Sequence, residues 1–317
     1  MRRHPLTLAT GALAATLALS ACQSAGPVGA GLSTSPTPKP RAVSANLVPS
    51  AESLALVNYY ASVQRSLLTQ GLLRTDGGGA DVPFSAAMLA RNFERIAFFQ
   101  EYSQAGGRLV ARENASRLTR WEKPVRVSVH FGLSTPDDKK MRDRAVLSRY
   151  VRRLARVTGH SISMTNGEGN FRVYILNEDE RKAFGSELRR IVPGISALSQ
   201  RAVINMPRDT YCLVFGRDPE NNGRFEQAVA VIRSEHPDLM RTSCIHEEVA
   251  QGLGLSNDSP QARPSIFNDD EEFGLLTTHD ENLLRMLYDD RLRPNMTAEE
   301  ARPIIKQIAA ELTGGAV

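Results

Sequence analysis

The segment Glu247-Glu248-Val249-Ala250-Gln251-Gly252-Leu253-Gly254-Leu255-Ser256-Asn257 constrains this chain more than any other, because it sets a helix, the end of that helix and a return of the backbone toward it. Asp238 to Leu253 reads as a helix, with Pro237 ahead of it and Gly254 placed to stop it. Glu247 and Gln251 are four apart and project from one face, while Glu248 sits one step round. Gly254 can take the left-handed conformation that turns the chain back, which brings Asn257 or Asp258 toward the same point. Three oxygen-bearing side chains and a neighbouring carboxylate are therefore expected to converge.

The N-terminus bounds where such a fold would work. Arg2-Arg3-His4 precede an apolar run from Leu6 to Leu19, closed by Leu19-Ser20-Ala21-Cys22. The run is too short to span a bilayer and reads as a secretory signal over residues 1–21. Its end resembles the lipobox of bacterial lipoproteins, which implies that Cys22 is acylated and becomes the first residue of the mature chain. The alternative is an ordinary cleaved signal with an incidental cysteine. Residues 22–48, rich in Ser, Pro, Thr, Gly and Ala, bury too little apolar surface to order themselves and are expected to form a flexible tether. The expected partner at this end is the membrane, through the lipid, with an envelope protein as a further candidate partner. The expected location is the cell envelope. Gln23 stands where an aspartate marks inner-membrane retention in some lipoproteins, so the outer membrane, facing the periplasm, is preferred.

The formal charge of +4 includes Arg2 and Arg3, which leave with the signal, so charge is a weak guide to partners. The arginine-rich stretch Arg142 to Arg156 lacks interleaved aromatic residues, and no nucleic-acid partner is expected. With Cys22 assigned to lipid, Cys212 and Cys244 remain. In an oxidising compartment that count favours one disulfide, tying a strand to the site helix; two buried thiols are the alternative.

The remaining pattern is α+β: a mixed twisted sheet with long helices, preceded by an N-terminal helical segment. Residues 49–120 read as helical. One helix runs from Ser50 to Leu73 with Leu54, Val57, Ala61, Leu67 and Leu68 as its apolar positions, and a second runs from Pro83 to about Tyr102. Residues 121–296 carry strands over Val125–Gly132, Ile162–Met164, Phe171–Leu176, Tyr211–Phe215 and Ala228–Arg233, with helices over Pro136–Thr158 and near Asp179–Arg190. A last helix and tail occupy 297–317.

The spacing from Glu247 to Asn257 resembles the metzincin metalloproteases, and most closely the matrixins, whose pattern is H-E-x-x-H-x-x-G-x-x-H. That resemblance implies a metzincin-like sheet. It places Glu247, Gln251 and Asn257 at the three metal-ligand positions, Glu248 at the catalytic glutamate, Gly254 at the turn glycine and Phe267 at the methionine of the turn that follows. Thr277 and Asp280 open the last helix of this region as a capping box. The stretch also resembles a family of secreted bacterial proteins of unknown function that share E-E-x-x-Q-x-L-G-L. The chemistry departs from the protease pattern: zinc sites use imidazole, thiolate or carboxylate, whereas this triad offers one carboxylate and two neutral amides. Zinc is not expected. A harder divalent metal would need more oxygens, for which Asp258, Asp269 and Asp270 are candidates. His246 imitates the start of an H-E-x-x-H motif, but Ala250 stands four residues on, so it is read as a packing histidine.

Three readings follow. The preferred one is a pseudoenzyme, a lipid-anchored binding or assembly module without catalysis. The rival is a metal-dependent peptidase with an oxygen-rich site. In the third, the motif is a core element whose polar residues bond one another.

Overall fold

The computed structural model describes residues 48–105, 108–268 and 270–314, so the signal, Cys22, most of the tether and Asp269 lie outside the described residues. The chain opens with α1 (Ala51–Thr69), capped by the Ser50 hydroxyl, which accepts from the Ser53 amide. α2 (Ala86–Ala97) follows, and then an antiparallel pair, β1 (Phe99–Ala105) and β2 (Arg108–Ala115). The second N-terminal helix therefore stops five residues short of Tyr102, and part of the segment read as helical is a strand pair. Gly106-Gly107 between the strands is the hairpin signal that the helical reading passed over.

The main sheet has the order β4-β3-β5-β7-β6, formed by β3 (Val125–Phe131), β4 (Ile162–Met164), β5 (Phe171–Leu176), β6 (Cys212–Arg217) and β7 (Gln227–Arg233). β3, β4, β5 and β7 run parallel, and β6 is the antiparallel edge strand, so the sheet is mixed as expected. Strands covered on both faces should read as nearly continuous apolar runs. In β5, Phe171, Val173 and Ile175 enter one core, while Tyr174 and Leu176 enter another.

The larger core lies under α3 (Asp137–Thr158), α7 (Asp238–Gln251) and α8 (Thr278–Leu287), and it also takes Leu89, Phe93 and Ile96 of α2 and Ile305, Ile308 and Ala309 of α9 (Ala298–Thr313). α2 and α9 are thus layers of the same core. The smaller core holds Phe184, between α4 (Glu178–Ala183) and α5 (Gly185–Ile191), with Leu188 and Ile191 of α5 and Val203 of α6 (Ala197–Ile204). The single helix expected near Asp179–Arg190 is divided at Phe184, which caps α4 and opens α5.

α1 departs from its expected orientation. Its inward side carries Leu56, Tyr60, Val63 and Leu67, packed with Leu73, Tyr211 and Met240. Leu54, Val57 and Leu68 of the expected apolar stripe face solvent. The helix has two apolar faces, and only one is used. Among the described residues no helix is long and apolar enough to cross a membrane.

Candidate functional site

α7 ends where two ring donors meet its last carbonyls. Trp121 Nε1 donates to Gly252 O at 2.8 Å and Tyr288 Oη donates to Leu253 O at 3.1 Å, satisfying acceptors that a helix end leaves open. Gly254 sits at φ 130°, and a Cβ there would stand 2.2 Å from Thr119 O. A Cβ on Gly252 would meet the Phe171 ring at 2.4 Å. Close packing therefore requires both glycines of the motif, and the turn requires Gly254 as well.

Gln251 and Asn257 meet at Asp258, through bonds to its side chain and to the backbone. Gln251 Nε2 donates to Asp258 Oδ1 at 2.9 Å. Asn257 Nδ2 donates to Arg95 O of α2 at 3.1 Å and to Asp258 O at 2.8 Å. An amide oxygen cannot face two carbonyl oxygens, so the nitrogen is fixed between them and α2 closes this position. Asp270 is exposed and accepts from the Glu272 amide.

Among the described residues, one group of His, Cys, Asp and Glu side chains brings potential ligand atoms within 4.8 Å of one another: Cys212, the half-buried Glu247 and the buried Glu248. Cys212 is bonded to Cys244, which joins β6 to α7 with 5.9 Å between the Cα atoms. Its sulfur is therefore no thiolate, and two carboxylates are too few for calcium or a tetrahedral zinc site. Among the described residues this group does not fit a metalloprotease metal.

His246 is a buried packing residue. Its ring stacks on Tyr150 with centroids 3.9 Å apart, Nδ1 accepts from the Leu276 amide at 3.1 Å, and its carbonyl accepts from Tyr150 Oη at 2.7 Å. Burial, with Arg153 adding to it, pushes the imidazole down to about 3, so it is neutral at ordinary pH. His279, fully buried, lies 3.1 Å from Asn92 Nδ2 and edge-on to Phe84. Neither histidine belongs to the converging group.

Phe267 is buried, in a turn held by Asp280. Asp280 Oδ1 accepts from Ser265 Oγ at 2.6 Å, and Oδ2 accepts from the amides of Ile266 and Thr277 at 3.0 and 2.9 Å. The capping box read from Thr277 and Asp280 is present with both of its bonds. Its carboxylate also reaches fifteen residues back to the turn, a tie that local spacing does not reveal.

A second polar cluster went unread in the sequence. β3, β5 and β7 end on one edge of the sheet, and beyond them lie Glu178, Glu235 and His236, all buried. Arg233 bonds Glu178 Oε2 at 2.6 Å and the carbonyls of Met206 and Pro207; Arg181 bonds Glu178 Oε1; Arg241 bonds Asp143, Asp238 and the His236 carbonyl. Lys139 donates to the Ser234 carbonyl, and burial with the nearby Arg241 brings its amine down to about 8. The neighbouring cations are thus directed at other acceptors. Glu235 Oε1 accepts from Ser53 Oγ of α1 at 2.7 Å and from the Glu178 amide at 2.6 Å, and Oε2 has no hydrogen-bond partner.

Burial raises the Glu235 carboxyl above its ordinary value, against the lowering effect of these bonds. The sign follows: a raised folded-state pKa gives stability that is complete below the unfolded value and is lost as pH rises through the folded one. Glu235→Gln keeps an acceptor for Ser53 and removes the ionisation. It is expected to match the parent near pH 4 and to be the more stable of the two at pH 8, read from urea midpoints at the two pH values. Equal midpoints at pH 8 would contradict the assignment.

A family described as "Protein of unknown function (DUF2927)" matches residues 86–307, well over half of the chain, from the start of α2 to within α9. No curated protein matches the chain. No solved structure matches it.

Proposed function

The chain belongs to the family of unknown function DUF2927, and from that premise we propose that it is a lipid-anchored cell-envelope protein whose metzincin-like frame serves as a non-catalytic binding or assembly module. One observation carries the reading. At the place of the third metal ligand, Asn257 holds its amide nitrogen between two backbone carbonyls, one of them from α2. A ligand position used as a hydrogen-bond donor to the protein's own backbone is a structural tie.

The order of parts supports the metzincin-like frame: a mixed sheet, the site helix, a turn at Pro264–Phe267 and a closing helix. The chemistry of the converging group supports the absence of catalysis. Glu248 as a general base needs a water made acidic by a metal, and a disulfide sulfur with two carboxylates does not supply that metal site. The lipobox-like Leu19-Ser20-Ala21-Cys22 supports acylation and an envelope location, and Gln23 after it supports the outer-membrane preference.

The test is metal content together with hydrolysis. The mature chain, desalted after purification, is expected to hold well under one equivalent of any transition metal and to leave a peptide library uncut, with Glu248→Gln indistinguishable from the parent. Stoichiometric metal together with cleavage that Glu248→Gln abolishes would establish the rival metallopeptidase.

A further inference from the structure

We propose that the edge of the sheet where β3, β5 and β7 end is a bilayer-docking face, apolar rather than electrostatic in character. Among the described residues the large hydrophobic side chains most open to solvent are Val48, Leu54, Val57, Leu68, Leu133 and Met141, from 43% to 78% exposed. Scattered exposed hydrophobes are ordinary, but all of these belong to elements that meet this edge. Leu133 follows β3 by two residues, and Met141 lies in the second turn of α3, which begins at Asp137.

α1 crosses the same edge. It is fastened there by Ser50 N on Asp179 Oδ2 at 2.8 Å, Ser53 Oγ on Glu235 and Lys182 Nζ on Glu52 at 2.7 Å, and farther along by Tyr60 edge-on to His236 with ring centroids 4.5 Å apart. At 100° per residue, Leu54, Val57, Ala61 and Leu68 fall within an arc of about 60°. That arc is centred about 120° round the helix from the side packed on Tyr211 and Met240, and Leu54, Val57 and Leu68 within it are open to solvent. α1 also lies outside the span that matches the family, which begins at residue 86.

The occupant follows from the chain upstream. Cys22 precedes Val48 by twenty-five intervening residues, at most about 3.5 Å each. This step rests on the lipid-anchor reading above, which keeps the domain within roughly 90 Å of a bilayer and makes a weak apolar contact effective through local concentration. Charges on this edge are mixed: Lys140, Arg142 and Lys182 alternate with Glu52, Asp137, Asp138 and Asp238, several of them already paired. Attraction to anionic lipid therefore contributes little, and zwitterionic vesicles are a sufficient surface.

The experiment uses the acylated full-length mature chain in phosphatidylcholine vesicles, with Leu54→Trp as the probe and Leu133→Trp as a second one on a loop set by the sheet. The parent's buried Trp121 supplies the background to subtract. Brominated acyl chains are expected to quench both probes at least twofold, unchanged in high salt, and to leave Lys123→Trp, at the opposite ends of the strands, unquenched. Equal emission of both probes in brominated and ordinary lipid, with acylation confirmed by mass, would overturn the proposal. So would a concentration-dependent blue shift without vesicles, which would assign the face to a second copy of the chain. Cys22→Ala at large lipid excess separates the two readings. Probes still quenched there, in a protein whose parent proves unacylated, would retire the anchor and keep the docking face.

Discussion

Replacing Asp280 with alanine is expected to destabilise the protein by about 4 kcal/mol, because it strands several buried donors at once. The Ser265 hydroxyl and the amides of Ile266 and Thr277 all spend their hydrogen bonds on this carboxylate, which is fully buried. Each buried donor left without an acceptor costs about 1–3 kcal/mol, while the Thr277 hydroxyl still caps the helix through the amide of residue 280. In a domain of this size the loss corresponds to a fall of roughly 10 °C in Tm. Asp280→Asn keeps one acceptor oxygen and is expected to lose less than half as much. Urea unfolding of the two variants beside the parent reads both numbers, and an alanine variant within 1 kcal/mol of the parent would show that the turn at Pro264–Phe267 is held by something else.

Removing the Cys212–Cys244 bond is expected to have an effect of nearly the same size. Its half-cystines are 32 residues apart, for which the loop-closure estimate is about 3–4 kcal/mol. The bond fixes β6, an edge strand paired on one side by β7, to the helix that carries the motif. The double variant Cys212→Ser with Cys244→Ser should therefore unfold at a clearly lower denaturant concentration than the oxidised parent. It should coincide with the parent unfolded under reducing conditions. A loss below 1 kcal/mol would mean that the edge strand is secured without the crosslink.

How much of this was legible in the sequence depended on the range of the interactions involved. The alternation in Val125–Phe131, the apolar spacing of Leu147, Tyr150, Val151 and Leu154, and the Thr277–Asp280 capping box are local patterns, and each element formed where its pattern lies. The disulfide was legible by counting cysteines. α1 was misread for a physical reason: it bears two apolar stripes, and periodicity alone does not say which one the protein covers. The extension of α2 to Tyr102 failed because the Gly-Gly signal in the next residues outweighed an apolar spacing that happened to continue.

The candidate site divided in the same way. Glu247 and Gln251 share a helix face as spacing requires, and Asn257 does return toward Gln251 through Asp258. What spacing could not supply was the partner: Arg95 O comes from a helix more than 160 positions away in the chain. The cluster around Glu235 and His236 was invisible because its members come from α1, α3, α4, β7 and α7, and no local pattern marks a charge destined for burial.

The claim on which the functional reading rests is that the helix and turn from Glu247 to Asn257 are tied by their own hydrogen bonds and leave no seat for a divalent ion. A ligand that binds only the folded state raises its stability by RT ln(1 + [L]/Kd), which amounts to about 4 kcal/mol at a thousandfold excess over Kd. The direct measurement is the thermal unfolding of the mature protein in chelator and in millimolar zinc, manganese or calcium. The expected result is one Tm for all four, and for Glu247→Ala likewise no difference among the four. A rise of several degrees with one of the metals, lost in Glu247→Ala, would contradict the account and restore the site to metal chemistry.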